Sequence, residues 1–263
     1  MIKLLKRIAR KALNSIDDYK KRSKDEKLER NEGYCNICEQ ETVFVIRDPW
    51  LRDNYRCSKC DTIPRNRALM NAINMYAKDW KASSVHESSP GGKFSELLKK
   101  NCKAYSSSHY YKDTPRGQYV GEHRSEDLSA LTFPDAQFDL FITSDVFEHV
   151  FEPEKAFAEI NRVLKPGGLH IFTMPWIPAH KKSTQRAKLN ADGTIEYFKE
   201  AIYHGNPIDA KGSLVTFDWG LDFADIIYKS SGMTTTIYLE IDRKKGLDGK
   251  FLEVFISRKP DAQ

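Results

Sequence analysis

The feature that most constrains the fold is a regular alternation of strand-like and helix-like runs from residue 83 onward. Short strand-like runs at residues 85–88 and 104–108 enclose an amphipathic run at residues 92–100. A buried strand is indicated for residues 138–144 (FDLFITS), and helical spacing follows at residues 153–164. Because strand–helix–strand order is typical of parallel winding, we predict an α/β domain with a doubly wound sheet.

The runs on either side extend this pattern. Pro64 can open a helix whose apolar residues share one face: Leu69, Ala72, Ile73, Tyr76 and Trp80. Residues 170–174 are predicted to form a strand, residues 218–231 a helix, and residues 235–239 and 251–257 a closing pair of strands. With 263 residues, of which 40% are hydrophobic, the chain can build one sizeable core and one small appendage.

The appendage is indicated by two cysteine pairs, Cys35 with Cys38 and Cys57 with Cys60. Two residues separate the members of each pair, and eighteen residues separate the pairs. Two such turns supply the four sulfur ligands that a tetrahedral zinc ion prefers. We therefore predict a zinc ribbon over residues 32–63, with a structural Zn²⁺ because four protein ligands leave no open position.

Two other interpretations of these cysteines are weaker. Two disulfides are disfavoured because no export signal is evident, and a redox pair is disfavoured because the two turns match. The fifth cysteine, Cys102, is interpreted as a small buried hydrophobe.

The formal net charge of +5 is concentrated at the N-terminus. Residues 1–30 have an excess of six positive charges, so the other 233 residues carry a net charge of about −1. Residues 1–16 mix basic and apolar side chains at helical spacing, which predicts a short amphipathic helix within a basic helical N-terminal segment, residues 1–31. An added helix or a loosely ordered tail is favoured over a contact with a membrane or a partner. The near-neutral body disfavours a nucleic-acid partner, since phosphate binding needs a basic face.

The most informative motifs lie between residues 126 and 168. They read EDL at residues 126–128, FPD at 133–135, FDLFITSDVFEHV at 138–150 and LKPGG at 164–168. In this spacing the chain resembles the class I S-adenosylmethionine-dependent methyltransferases of the type 11-like group, over about residues 83–175. Residues 203–207, 213–215 and 218–220 resemble a subgroup that bears an N-terminal four-cysteine zinc ribbon.

The resemblance implies a Rossmann-like seven-stranded sheet over residues 64–260, with S-adenosyl-L-methionine bound beyond the carboxyl ends of the strands. The residues carried over as cofactor-binding are Glu87, Ser89 and Gly91 at the methionine end, Asp127 at the adenine amino group, and Ser144 and Asp145 beside the methionine moiety.

Two positions depart from the family pattern. Ser89 and Lys93 stand where the glycine-rich loop usually has its first and third glycines. The acidic residue that normally holds the ribose hydroxyls is not evident in residues 106–110, where Ser108 or His109 could substitute, and Asp113 is the nearest carboxylate. These departures keep open a non-catalytic binding protein with a degenerate cofactor loop.

Methyl transfer requires alignment of the acceptor and, for a hydroxyl acceptor, removal of a proton. The resemblance places Glu148 and His149 facing the substrate. His149 is the first candidate for the base, followed by His180, His204 and Asp218. Residues 143–146 (TSDV) stand where enzymes that methylate nucleobase amino groups carry Asn/Asp-Pro-Pro-aromatic, which leaves oxygen and carbon acceptors.

The sequence therefore predicts a methyltransferase for a small-molecule or glycan acceptor, methylated at oxygen, whose acceptor pocket is shaped by the ribbon and residues 176–220. An RNA methyltransferase that grips its substrate with the ribbon is the alternative. Basic residues near the second cysteine pair favour it: Arg56, Lys59, Arg65 and Arg67. Nearby acidic residues disfavour it: Asp48, Asp53 and Asp61. Without an apolar run of roughly 18 to 20 residues or a signal peptide, a cytoplasmic protein is expected.

Overall fold

The computed structural model describes residues 29–206 and 208–262. The N-terminal helical segment predicted for residues 1–31 lies outside the described residues, apart from its last three. Within the described part of the chain, no helix is long and apolar enough to cross a membrane.

The first three strands form a small antiparallel sheet, the ribbon (residues 30–63). Strand β1 (Arg30–Cys35) pairs with β2 (Gln40–Ile46), and β2 pairs with β3 (Tyr55–Cys57). A single-turn helix, α1 (Leu51–Asn54), joins β2 to β3. Helix α2 (Pro64–Tyr76) follows and ends at Tyr76, so Trp80, predicted to continue its apolar face, is buried beyond the helix.

The next part of the chain contains every strand and helix predicted for residues 85–164 and two short strands, at residues 119–120 and 123–125, that were not predicted. In chain order they are β4 (Ser84–Ser88), α3 (Gly92–Asn101), β5 (Ala104–His109), β6 (Tyr119–Val120), β7 (His123–Ser125), β8 (Phe138–Ser144), α4 (Pro153–Val163) and β9 (Leu164–Thr173). Strands β4, β5, β7, β8 and β9 run parallel, while β6 pairs antiparallel with β7. Strand β9 begins six residues earlier than predicted, because Leu164 already pairs with Phe138 of β8; the pairing is then irregular until Leu169 pairs with Leu140.

Residues 176–220, called the insertion, consist of short antiparallel hairpins. Their strands are β10 (Thr184–Gln185), β11 (Ala187–Leu189), β12 (Ile195–Tyr197), β13 (Tyr203–His204), β14 (Ser213–Leu214) and β15 (Phe217–Asp218). Because Phe217 and Asp218 pair with β10, the helix predicted to begin at residue 218 begins later, as α5 (Phe223–Ser231).

Strands β16 (Thr234–Tyr238) and β17 (Val254–Arg258) complete the main sheet. The order of its eight strands is β16-β17-β9-β8-β4-β5-β7-β6, in which β17 is antiparallel to both of its neighbours. The predicted doubly wound Rossmann-like sheet of seven strands is confirmed, with the two-residue β6 as an extra edge strand. The winding direction reverses at β4, and such a switch point opens a crevice beyond the carboxyl ends of the strands.

The ribbon and the sheet share one hydrophobic core. Phe44 and Tyr55 of the ribbon belong to the same buried cluster as Leu140 and Ile171 of the sheet. The backbone of the ribbon also packs closely against the loop between β16 and β17. A Cβ atom on Gly33 would lie only 1.9 Å from the Lys244 carbonyl oxygen, so this contact leaves no room for a side chain. The ribbon is therefore packed into the domain rather than tethered to it.

Candidate active site and metal centre

A large cleft lies beyond the carboxyl ends of the parallel strands. Its volume is about 1730 Å³, which exceeds the roughly 300–1,000 Å³ of an ordinary small-molecule pocket. The cleft is lined by the loops after β4, β5, β7 and β8 and by residues of the insertion such as Leu189, Asn206 and Ser213. The cleft is therefore large enough for a cofactor and an acceptor side by side.

The loop between β4 and α3 has the backbone that a close ligand contact requires. Ser89 adopts φ +58°, a left-handed conformation that favours glycine, so it keeps the backbone of the glycine it replaces. A side chain added to Gly91 would meet no atom within 4 Å. The loop thus leaves free space beside its backbone, on the face that lines the cleft.

Glu87, at the end of β4, is almost fully buried beneath this loop. Its carboxylate accepts hydrogen bonds from the Tyr105 hydroxyl at 2.6 Å and from the Ser95 hydroxyl at 2.8 Å. Burial raises the pKa of Glu87 to about 7, although both hydroxyls act in the opposite direction. A cationic ligand group would favour the ionised form of this carboxyl.

Asp127 lies on the loop after β7, beside the residues that follow β5. Its Oδ1 accepts hydrogen bonds from Ser129, from the backbone nitrogen at 2.9 Å and from the hydroxyl at 2.6 Å. Burial and the neighbouring carboxylates of Asp127 and Asp113 raise the pKa of Tyr110. Both carboxylates therefore lie near the exposed ring of Tyr110 in the cleft wall.

The last two residues of β5 are the candidates for a ribose contact, and the structure separates them. His109 lines the cleft, whereas the Ser108 hydroxyl is buried against His86 Nε2 at 2.9 Å. Burial and the nearby His123 lower the pKa of His109 to about 4, so its imidazole is neutral. His109 and Asp113 remain as polar groups at this end of the cleft.

Ser144 and Asp145 end β8 and line the cleft, as predicted. Two arginines hold the Asp145 carboxylate: Arg52 donates to Oδ2 at 2.6 Å, and Arg65 forms a second ion pair with the same oxygen. Burial would raise the pKa of Asp145, but Arg65 and Arg52 outweigh it and lower the pKa. Sequence analysis missed this link because 93 residues separate Arg52 from Asp145.

Glu148, His149 and His204 lie together at the junction of the cleft with the insertion. The rings of His149 and His204 are 5.1 Å apart and nearly perpendicular. His149 Nδ1 donates a hydrogen bond to the Leu214 carbonyl oxygen at 2.8 Å. The Glu148 carboxylate raises the pKa of His204, against the effect of burial. Two of the three predicted catalytic residues therefore meet in the cleft.

The third predicted catalytic residue, Asp218, is held elsewhere. Its carboxylate pairs with Arg186 at 2.9 Å and with Lys199 at 2.8 Å, and it is not part of the cleft lining. His180 is exposed and lies outside the cleft lining as well. The structure therefore does not bring Asp218 or His180 together with His149.

The four ribbon cysteines converge on one point. Their sulfur atoms all lie within 4.8 Å of one another, with 3.7 Å between Cys35 and Cys60 and 3.8 Å between Cys38 and Cys57. Zinc–sulfur distances of about 2.3 Å place the sulfurs of a tetrahedral site about 3.8 Å apart. All four cysteines are free, so no disulfide competes with metal binding. The ribbon therefore has the ligand set and spacing of a zinc site.

Arg67 lies between the ribbon and the sheet, fully buried. It donates hydrogen bonds to the carbonyl oxygens of Tyr55 at 2.8 Å and Gly246 at 2.6 Å, and its guanidinium lies 4.7 Å from the centre of the Phe44 ring. Burial lowers the pKa of Arg67 to about 10, while the nearby cysteines act to raise it. Arg67 is thus a structural cation near the cysteine cluster.

Residues 88–172, about a third of the chain, match the model of a family described as a methyltransferase domain. This part of the chain is therefore similar in sequence to a methyltransferase domain.

Two solved structures illustrate the similarity. An S-adenosylmethionine-dependent methyltransferase from Mesorhizobium loti is 16% identical, with 73% of this chain and 97% of that chain covered and a TM-score of 0.48. The 1,6-didemethyltoxoflavin-N1-methyltransferase of Burkholderia thailandensis is also 16% identical, with 74% and 80% covered and a TM-score of 0.43. No conclusion about the acceptor of this chain follows from these similarities.

Proposed function

We propose that the protein transfers a methyl group from S-adenosylmethionine to an oxygen atom of a small-molecule or glycan acceptor. The observation that carries this proposal is the charge of the cleft, where nine Asp or Glu residues face only three Lys or Arg residues. Such a surface repels a polyanion, whereas neutral hydroxyl-rich molecules can accept and donate hydrogen bonds along it. The insertion would then select among such acceptors.

The cofactor would occupy the end of the cleft nearest β4. Glu87, Ser89 and Gly91 would hold its methionine end together with Ser144 and Asp145, and Asp127 would accept a hydrogen bond from the adenine amino group. The open space beside Gly91 and the buried carboxyl of Glu87 support this assignment. When bound, the cofactor supplies an electrophilic methyl group on a sulfonium.

The proton of a hydroxyl acceptor would leave toward the imidazoles of His149 and His204. Because His149 Nδ1 donates to the Leu214 carbonyl oxygen, its Nε2 is the nitrogen free to accept a proton. Asp218 has no part in this proposal, since Arg186 and Lys199 hold its carboxylate.

The ribbon would bind one structural Zn²⁺ and hold the wall of the cleft. The basic residues that favoured an RNA clamp are engaged within the protein. Arg56 pairs with Asp61, Lys59 with Gln40 and Arg65 with Asp145, while Arg67 is buried. These contacts support a scaffold rather than an RNA-binding surface.

The acceptor class can be tested with radiolabelled S-adenosylmethionine and the zinc-replete protein. We expect label to enter sugars, glycans or small hydroxyl compounds and to be absent from total RNA. Incorporation into RNA alone would favour the RNA methyltransferase instead, and RNA binding by that enzyme should weaken steeply with added salt.

The cofactor site can be tested by calorimetric titration of S-adenosylmethionine. We expect micromolar binding that Asp127→Ala weakens, while Asp225→Ala, on the exposed face of α5, leaves it unchanged. No binding to the wild-type protein would indicate a non-catalytic binding protein with a degenerate loop.

A further inference from the structure

One buried carboxylate in the cleft has no hydrogen-bond partner among the described residues. The side chain of Glu148 is 1% exposed, and no described residue donates a hydrogen bond to either of its oxygens. An unpaired buried carboxylate costs several kcal/mol. Glu87, the other buried glutamate discussed above, differs because its carboxylate accepts two hydrogen bonds. Glu148 is therefore the group in the cleft whose surroundings are incomplete.

Two imidazole nitrogens face this carboxylate at nearly equal distances. His149 Nε2 lies 3.8 Å and His204 Nδ1 lies 3.7 Å from Glu148 Oε1. Both distances exceed the 2.7–3.2 Å of an N–H···O hydrogen bond. The three groups are thus close without being bonded to one another.

The tautomer of His149 sharpens this observation. Its Nδ1 donates a hydrogen bond to the Leu214 carbonyl oxygen, so in the neutral imidazole the atom nearest Glu148, Nε2, carries a lone pair. A lone pair directed at a carboxylate is unfavourable unless a cation lies between them. Histidines that bind metals commonly donate their other ring N–H to a backbone carbonyl in this way.

The spacing suits a shared metal ion. The three ligand atoms lie within 4.8 Å of one another. Metal–ligand distances of about 2.0–2.2 Å place the ligands of a tetrahedral ion about 3.4 Å apart. The two measured distances of 3.7 and 3.8 Å exceed this by a few tenths of an ångström, which small rotations of the half-exposed His204 can close.

We propose that Glu148, His149 and His204 form a binding site for one divalent transition-metal ion. Two imidazoles and one carboxylate are a ligand set for first-row ions such as Mn²⁺, Fe²⁺, Co²⁺ and Zn²⁺. Three protein ligands leave coordination positions open, and these would face the cleft. The ion is distinct from the structural zinc of the ribbon, whose four sulfur ligands close the coordination shell.

The open positions would take an oxygen atom of the acceptor, and this part rests on the proposed function. A metal-bound hydroxyl loses its proton at a lower pH than a free one. The bound oxygen would then release its proton to water in the cleft and attack the methyl group, while S-adenosylhomocysteine leaves as a neutral thioether. With the ion bound, His149 and His204 would be its ligands, and the role as proton acceptors proposed above would apply only to the protein without the ion. Metal binding itself requires neither the cofactor nor the acceptor.

The test is titration of the full-length, zinc-replete protein with Mn²⁺, followed by electron paramagnetic resonance, and separately with Co²⁺, followed by its visible absorption. Mn²⁺ prefers oxygen and nitrogen ligands to thiolates, so its signal reports on the cleft rather than the ribbon. We expect one equivalent of at least one of these ions to bind. Glu148→Gln and His204→Ala should each weaken binding by about a hundredfold or more.

His180→Ala is the matched control, because this histidine is exposed and outside the cleft lining; it should bind the ion as the wild-type protein does. Zinc content and the thermal midpoint establish that each variant is folded. The proposal is overturned if neither ion binds the wild-type protein more tightly than the double variant Glu148→Gln/His204→Ala. A wrong acceptor assignment would leave the result unaffected, since no acceptor is present.

Discussion

Two ligand clusters in this molecule differ in both ligands and surroundings. In the ribbon, four cysteine sulfurs lie within 4.8 Å of one another, packed on the buried Arg67 and the common core. In the cleft, one carboxylate and two imidazoles meet at the edge of a large open volume. The four sulfurs of the first cluster can fill all coordination positions of a tetrahedral ion, whereas the three ligands of the second leave at least one position open for a further ligand.

The two clusters also differ in how far apart their ligands lie in the sequence. The cysteines come in two local turns, so their convergence is set by short stretches of chain. The cleft cluster combines a turn at the end of β8 with His204, which the insertion supplies more than fifty residues later. We therefore expect damage to the ribbon to appear as lost stability and damage to the cleft cluster to appear as lost turnover.

The largest effect is expected for Cys57→Ser, which removes one buried sulfur from the ribbon. Zinc should be lost, and the free energy of unfolding should fall by about 4 kcal/mol or more, because the ribbon shares its core with the sheet. Zinc analysis and denaturant unfolding measure both quantities. Cys102→Ser, a buried cysteine outside the cluster, is the control, and equal losses in the two variants would contradict a structural metal.

Arg67→Lys should cost about 3 kcal/mol of stability. A lysine keeps the charge but cannot donate to the carbonyls of both Tyr55 and Gly246, so buried acceptors lose their partners. Chemical denaturation followed by tryptophan fluorescence measures the loss. Arg56→Lys, whose ion pair with Asp61 is partly exposed, should cost under about 1 kcal/mol; the reverse order would mean that the ribbon is held by surface contacts.

Glu148→Gln should show the opposite behaviour from the ribbon variants. Removing a buried, unpartnered charge without changing its shape should leave stability unchanged or higher, while methyl transfer falls by about a hundredfold. Steady-state rates and thermal midpoints on the same sample decide this. Glu152→Gln changes an exposed carboxylate of the cleft rim and should alter neither quantity much. A Glu148→Gln protein that unfolds easily would make the cluster structural.

The smallest effect is expected at Glu87, a buried glutamate that, unlike Glu148, accepts hydrogen bonds. Its pKa is about 7 in the folded protein and 4.5 ordinarily, so the folded state holds this proton more tightly. Stability from this group is present below pH 4.5 and is lost as the pH rises toward 7. In the cofactor-free protein, Glu87→Gln should gain roughly 2 kcal/mol relative to wild type between pH 5 and pH 8, as measured by urea unfolding. A stability difference between the two proteins that does not change with pH would mean that Glu87 is in contact with water.

Much of the fold could be predicted because it depends on local periodicity. Strand β8 has the predicted bounds, Phe138–Ser144, and the helix predicted to start at Pro153 does so. The later elements deviated where pairing overrode periodicity. The helix predicted to begin at residue 218 begins at Phe223, because Phe217 and Asp218 pair with β10. Trp80 likewise keeps its burial after the helix has ended.

The candidate site could be predicted only in part. Family motifs placed the polar residues of the loops after β4, β7 and β8 in one cleft, and these residues do line it. The two arginines that hold Asp145, and the missing partner of Glu148, depend on contacts between distant segments. A local sequence pattern does not show whether a carboxylate will be neutralised, because the neutralising residues come from distant parts of the chain and reach it only on folding.

The contact between the ribbon and the loop after β16 sets an order of events during synthesis. The Tyr55 hydroxyl donates a hydrogen bond to the Arg243 carbonyl oxygen, a partner 188 residues later in the chain. At a translation rate of roughly 5–20 residues per second, the ribosome needs about 10 to 40 s to supply that partner. We therefore expect the nascent ribbon to acquire its metal first and to dock last, with its apolar face uncovered during the interval.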